Sequence, residues 1–163
     1  MIAATPTSWT QGEYDLTDPS GSGAPFGEIS LRLFGGARLS VGGADFEVEA
    51  AHWTKTTYLV TLDGHDVAVA ERPAFWRSRY AVRFDARALG LPADLTLDLA
   101  TDGWRARGWT LAADGVPAGR ADWARGRRPR LMAGFSDDVP LVAQAVLVAV
   151  VVSERRRRRS HTS

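Results

Sequence analysis

The chain has no cysteine among its 163 residues. That excludes a disulfide framework and thiolate metal sites. Lysine is almost absent: Lys55 is the single one, and every other basic side chain apart from histidine is arginine. Met1 to Ser8 holds neither a basic stretch nor an apolar run. No secretory signal is expected there, and residues 1–8 read as a flexible N-terminus. No glycine-rich phosphate loop precedes a helix. His52, His65 and His161 lack the spacing of metal ligands, and no serine has a placed histidine partner. These absences point to a non-enzyme that needs no metal and no cofactor.

What is present fits one globular domain. A chain this long buries a sizeable core, and 45% hydrophobic against 24% charged residues is ordinary for a folded protein. Charge is unevenly spread. Residues 1–103 hold 8 basic and 14 acidic side chains, whereas residues 104–163 hold 12 basic and 5 acidic. Such asymmetry suits an anionic partner for the C-terminal third, or a solvated arginine-rich face.

Strand signals recur along the chain. Glu28–Leu33, Tyr80–Phe84 and Leu95–Leu99 alternate polar and apolar residues, the period of a half-buried strand. Gly42-Gly43, Asp63-Gly64 and Asp114-Gly115 are tight hairpin signals. Eleven strands are expected, centred near residues 15, 30, 39, 47, 60, 68, 82, 97, 111, 120 and 131, with a twelfth near Trp104. Asp85–Leu91 has room for one helical turn. A weak repeat runs through the pattern. Trp9 leads to Tyr14, Trp53 to Tyr58 and Trp104 to Trp109, returning every 44 to 51 residues, and Phe75 and Tyr80 share the spacing. Aromatic-led hairpins in one meander account for it. Asp18, Asp63 and Asp114 read as turn formers.

The single long apolar run, Val139–Val152, has Gln144 as its only polar residue. Asp138 is a suitable N-cap, Pro140 is tolerated in the first turn, and Arg155–Arg159 complement a C-terminal dipole, which predicts a helix over 139–154. A helix that is apolar all round must be buried all round. Fourteen residues span about 21 Å, short of a bilayer core of about 30 Å but matched to a six-residue strand of about 20 Å. The expected fold is mainly β: an antiparallel barrel of about twelve strands wrapped around its own C-terminal helix. Residues 9–154 form that single domain, and residues 155–163 read as a disordered basic tail.

This layout resembles the tubby C-terminal-like superfamily, which includes the phospholipid scramblases and the plant LURP-one-related proteins, and is most similar to its small bacterial members. The residues that carry the resemblance are Tyr14-Asp15-Leu16, Tyr58-Leu59-Val60, Trp109-Thr110-Leu111, and Asp137–Leu141 running into the apolar helix and Arg155–Arg159. It spans about Trp9 to Arg159 and implies a twelve-stranded barrel around a buried helix. The cysteine-rich segment and clustered calcium ligands of scramblases have no counterpart here, and a shared fold does not confer a shared activity.

The candidate binding residues are basic and aromatic. Arg120, Arg125, Arg127, Arg128 and Arg130 surround Trp123, and Arg155, Arg156, Arg157, Arg158 and Arg159 close the apolar run. Such groups hold anionic lipid headgroups at a membrane surface or a nucleic-acid backbone. The leading expectation is a cytoplasmic binding or scaffold domain that meets anionic phospholipid. A β-domain anchored by its C-terminal helix and a ligand-carrying barrel or enzyme without a visible motif are the alternatives.

Overall fold

The computed structural model describes the chain except for residues 9, 11, 34–35, 52–56, 73–78, 103–106 and 161–163 and the side chain of Ser160. Twelve strands run in chain order: β1 (Ile2–Pro6), β2 (Glu13–Thr17), β3 (Pro25–Leu31), β4 (Gly36–Val41), β5 (Ala44–Ala50), β6 (Thr57–Leu62), β7 (His65–Glu71), β8 (Arg79–Phe84), β9 (Leu95–Thr101), β10 (Gly108–Ala113), β11 (Val116–Trp123) and β12 (Leu131–Phe135). Each pairs antiparallel with its chain neighbour, and β1 pairs with β12, so the sheet closes into a barrel. Closure leaves no sheet edge. A short helix α1 (Ala86–Leu89) joins β8 to β9, and a long helix α2 (Leu141–Ser160) ends the described chain.

Turn chemistry sets the register at one end. Asp63 and Gly64 have φ of 50° and 79°, and Asp114 and Gly115 have 49° and 80°. Two successive positive φ values match the twist of paired strands, and glycine and aspartate tolerate them. α1 is the single turn that the sequence allowed, capped by Asp85, whose carboxylate accepts the Arg87 and Ala88 backbone N–H groups.

Two expectations are corrected. The N-terminus is not a flexible lead: Ile2–Pro6 is the strand that closes the barrel, with Ile2, Ala3 and Ala4 all buried. The strand expected near Trp104 falls largely on residues outside the described set. So do Trp9, Trp53, Phe75 and Trp104 of the repeat, and His52 and His161.

α2 runs up the barrel axis. From Ala145 to Val152 every residue is buried. The helix comes closest to β1, β4 and β12. Those strands turn small residues inward, Ala4, Ala37 and Ala133, each wholly buried. Larger inward side chains, Tyr58, Tyr80, Leu97, Leu99 and Trp109, fill the rest of the interior. Gln144, the lone polar residue of the run, donates its side-chain amide to the Val139 carbonyl at 2.7 Å. Asp138 is not the N-cap. Asp137 and Asp138 lie exposed in a turn, and the first helical hydrogen bond runs from Gln144 N–H to the Pro140 carbonyl at 3.0 Å.

Candidate functional site

The barrel is electrically polarised along its axis. Connections after the even-numbered strands leave at one end and carry Asp18, Asp63, Asp85, Asp94, Asp114, Asp137 and Asp138, with Arg87 the only basic residue among them. Connections after the odd-numbered strands leave at the other end. Their described residues include Arg32, Arg72, Arg107, Arg125, Arg127, Arg128 and Arg130, against Asp102 alone. α2 delivers Arg155–Arg159 to that same basic end. The helix dipole is complementary at both ends, its positive N-terminus on the acidic side and its negative C-terminus among arginines.

α2 does not stop where the apolar run stops. Residues 155–160 continue the helix, which corrects the expectation of a disordered tail for those residues; 161–163 lie outside the described residues. The reason is Glu154, wholly buried at the last turn inside the barrel. Its Oε2 accepts the Tyr58 hydroxyl at 3.0 Å, the Tyr80 hydroxyl at 2.9 Å and Arg157 Nε at 2.8 Å. Its Oε1 accepts an Arg157 terminal nitrogen at 2.5 Å and Arg158 Nε at 2.9 Å. Glutamate followed by arginine three and four residues later is the favourable helical order. Burial alone would raise the Glu154 pKa, but the hydrogen bonds and charges of Arg157 and Arg158 outweigh it and hold the carboxyl below its usual range. Tyr58 and Tyr80 are pushed well up by burial and by the facing Glu154 carboxylate. Glu154 thus stays ionised and both phenols stay protonated near neutrality, the states these hydrogen bonds require.

The aromatic repeat acquires a meaning here. Tyr14, Tyr58, Tyr80 and Trp109 sit at the starts of β2, β6, β8 and β10 and line the barrel wall around the C-terminal half of α2. Tyr58 and Tyr80 ring centroids are 6.0 Å apart, and Tyr80 and Trp109 are 6.2 Å apart. Trp123, at the end of β11, meets Tyr14 edge-on at 6.5 Å. Arg155 lies 3.8 Å over the Trp123 ring, and Arg158 lies 5.8 Å over Trp109, attractive geometries for a cation on an aromatic face. Burial and the neighbouring Arg159 push Arg155 down to about 10.

The candidate residues therefore separate. Arg157 and Arg158 are committed to Glu154, and Arg155 to Trp123. Arg120 lies on the outer wall, ion-paired to Asp102 and Asp122 at 2.7 Å each. Gly108 sits beneath that triad, where a Cβ would come within 2.6 Å of Asp122. Arg125, Arg127, Arg128 and Arg130 are exposed in the β11–β12 connection, and Arg159 is exposed at the helix end. Arg156 is half-buried. Leu33, in the connection after β3, is 84% exposed at this basic end. Glu154, Arg72, Tyr58 and Tyr80 were not among the candidates. The signal available in the sequence was the lone acid between Val152 and Arg155, with arginines three and four residues on.

Among the described residues no three His, Cys, Asp or Glu side chains are grouped to hold a metal ion. Among them, too, no helix is long and apolar enough to cross a membrane. The apolar face that a helical anchor would present to lipid is packed inside the barrel. The architecture defines a class, a closed twelve-stranded antiparallel barrel filled by its own C-terminal helix. The chain matches no protein-family model, and neither a curated protein nor a solved structure is detectably similar to it.

Proposed function

We propose that this chain is a non-enzymatic binding domain, cytoplasmic and peripheral, that meets anionic membrane surfaces end-on through its basic end. One observation carries the reading: arginines gather at one end of the barrel and aspartates at the other. An anionic surface attracts the first and repels the second, so a single orientation is favoured. The candidates that face solvent are Arg125, Arg127, Arg128, Arg130 and Arg159, and Leu33 is exposed at the same end of the barrel. Each basic residue near an anionic leaflet contributes about 1 kcal/mol, so five acting together give firm yet salt-sensitive association. The resemblance to the tubby C-terminal-like superfamily accords with a barrel used for binding, and we take membership of it as part of the proposal. Nucleic acid is the less favoured partner, because the exposed arginines are confined to the β11–β12 connection and the end of α2 and do not run along the barrel wall. Co-sedimentation with phosphatidylcholine vesicles, with and without phosphatidylserine, tests the reading. Association only with the anionic vesicles, released by high salt, is expected. Absence of association at low salt refutes it.

A further inference from the structure

The barrel wall balances its own charges. Arg38, Arg79 and Arg83 each ion-pair with an acid of an adjacent strand, Asp45, Asp98 and Glu71. Arg32 pairs with Glu47 and Glu49, and Arg120 with Asp102 and Asp122. Inside the basic end, Arg72, Arg157 and Arg158 face the buried Glu154, Arg72 from 3.9 Å. Two exposed clusters of opposite sign are left without an ion pair among the described residues. One is Asp114, Asp137 and Asp138 at the acidic end, and the other is Arg125, Arg127 and Arg130 at the basic end. The acidic cluster also carries an apolar patch. Val116 is 65% exposed beside Asp114, and Leu141 is 52% exposed at the start of α2. The Ser136 N–H donates to the Ala118 carbonyl at 2.9 Å, which holds the turn bearing Asp137 and Asp138 beside the start of β11. Both clusters thus stand on the same pair of strands. The aspartates flank the start of β11 and the end of β12, and the arginines lie in the connection that joins the two strands at the other end.

We propose that this chain binds a second copy of itself head to tail, the β11–β12 connection of one copy seated on the Asp114, Asp137 and Asp138 face of the next. A copy displaced along the barrel axis presents its arginines to those aspartates. Opposite charge selects this pairing, and like charge disfavours a two-fold contact between identical faces. Val116 and Leu141 supply apolar area for the contact to bury. Each copy keeps one unused face of either sign, so the contact does not close and short open chains grow. The contact is small and mainly ionic. It is therefore weak and salt-sensitive, with Kd of about 0.1 mM at low salt, and dilute protein stays monomeric. The proposal does not rest on the membrane reading, since no lipid takes part.

The test is sedimentation equilibrium of the full chain without lipid, at low and at high salt. At low salt the average mass should climb with concentration past that of two chains, and high salt should return it to one. Two variants carry the argument further. Asp114→Asn, Asp137→Asn, Asp138→Asn removes the acidic face, and Arg125→Ser, Arg127→Ser, Arg130→Ser removes the basic one. All six positions are exposed, and asparagine tolerates the positive φ of Asp114; circular dichroism checks folding, and the salt comparison needs no variant. Each variant alone should stay monomeric. Mixed, they should form a one-to-one pair that grows no further, because only one acidic and one basic face remain between them. The asparagine variant should keep wild-type binding to phosphatidylserine vesicles, so failure of this proposal and failure of the membrane reading are told apart. Wild type that stays monomeric at about 1 mM in low salt overturns the proposal. So does a mass that stops at two chains and ignores salt, the mark of a symmetric apolar dimer. Association of either variant alone, or a mixture that stays monomeric, overturns it as well.

Discussion

Glu154→Gln is the sharpest perturbation of the barrel. It keeps side-chain volume and removes one charge. In the wild type that charge accepts five hydrogen bonds, two from tyrosines and three from arginines. A glutamine places an NH2 group among these donors, so one edge of the arrangement changes from acceptor to donor. Arg157, whose side chain is 12% exposed, would then lose the carboxylate charge it pairs with at 2.5 Å. Breaking a buried ion pair in this way costs about 3–5 kcal/mol, a large share of the roughly 5–15 kcal/mol that stabilises a domain. Each kcal/mol lowers the melting temperature of a domain this size by about 2–4 °C, so a fall of about 10 °C is expected. Urea unfolding followed by tryptophan fluorescence should show a lower midpoint with an unchanged slope. Adding Arg157→Leu to Glu154→Gln should cost less than the two single losses combined, because the residues share one interaction. A Glu154→Gln variant within about 0.5 kcal/mol of wild type would refute the inference that this carboxylate pins the helix.

Further expectations follow from the same geometry. Glu154 has a folded pKa below its unfolded value, so its stabilisation is complete at neutral pH. It declines once pH drops below about 4.3 and is lost as pH falls through the folded value; acid melts of wild type and Glu154→Gln should converge there. Tyr58 and Tyr80 have folded pKa values raised above 10. Their contribution is therefore full below pH 10 and lost as pH rises through the folded values, and absorbance at alkaline pH should show phenol ionisation coupled to unfolding. Leu147, 1% exposed at the centre of α2, becomes an unpaired buried charge in Leu147→Asp, and that variant should yield no cooperatively unfolding protein. Replacing all of Arg155–Arg159 by serine should destabilise the fold, since Arg157 and Arg158 hold Glu154, whereas Arg125→Ser, at an exposed position, should stay within about 0.5 kcal/mol of wild type by the same urea titration.

Local pattern carried most of the architecture. Half-buried strands such as Tyr80–Phe84 alternate because one face meets the core, and the Asp-Gly pairs need positive φ. β1 escaped because Ile2, Ala3 and Ala4 are buried in succession, which removes the alternation, and alanine has little strand preference. The helix end escaped for another reason. Five arginines read as a solvated tail, although arginine is a good helix former and Glu154 stands in favourable order before Arg157 and Arg158. The partners of Glu154 lie far off in the chain, Tyr58 by 96 residues and Tyr80 by 74. The sequence showed the aromatic spacing, but only barrel closure brings those rings around one carboxylate. Arg72 had no local signal at all, being a single arginine at the end of β7.

The absence of cysteine allows one label to be placed at either end of the barrel. Leu33→Cys marks the basic end and Val116→Cys the acidic end, both at exposed positions. An environment-sensitive fluorophore on each variant, titrated with phosphatidylserine vesicles at low salt, tests end-on binding directly. The label at residue 33 should shift to the blue and become shielded from an aqueous quencher, while the label at residue 116 should not change. Equal responses at the two ends, a response only at residue 116, or none at either would contradict a barrel that meets anionic membranes through its arginine-bearing end.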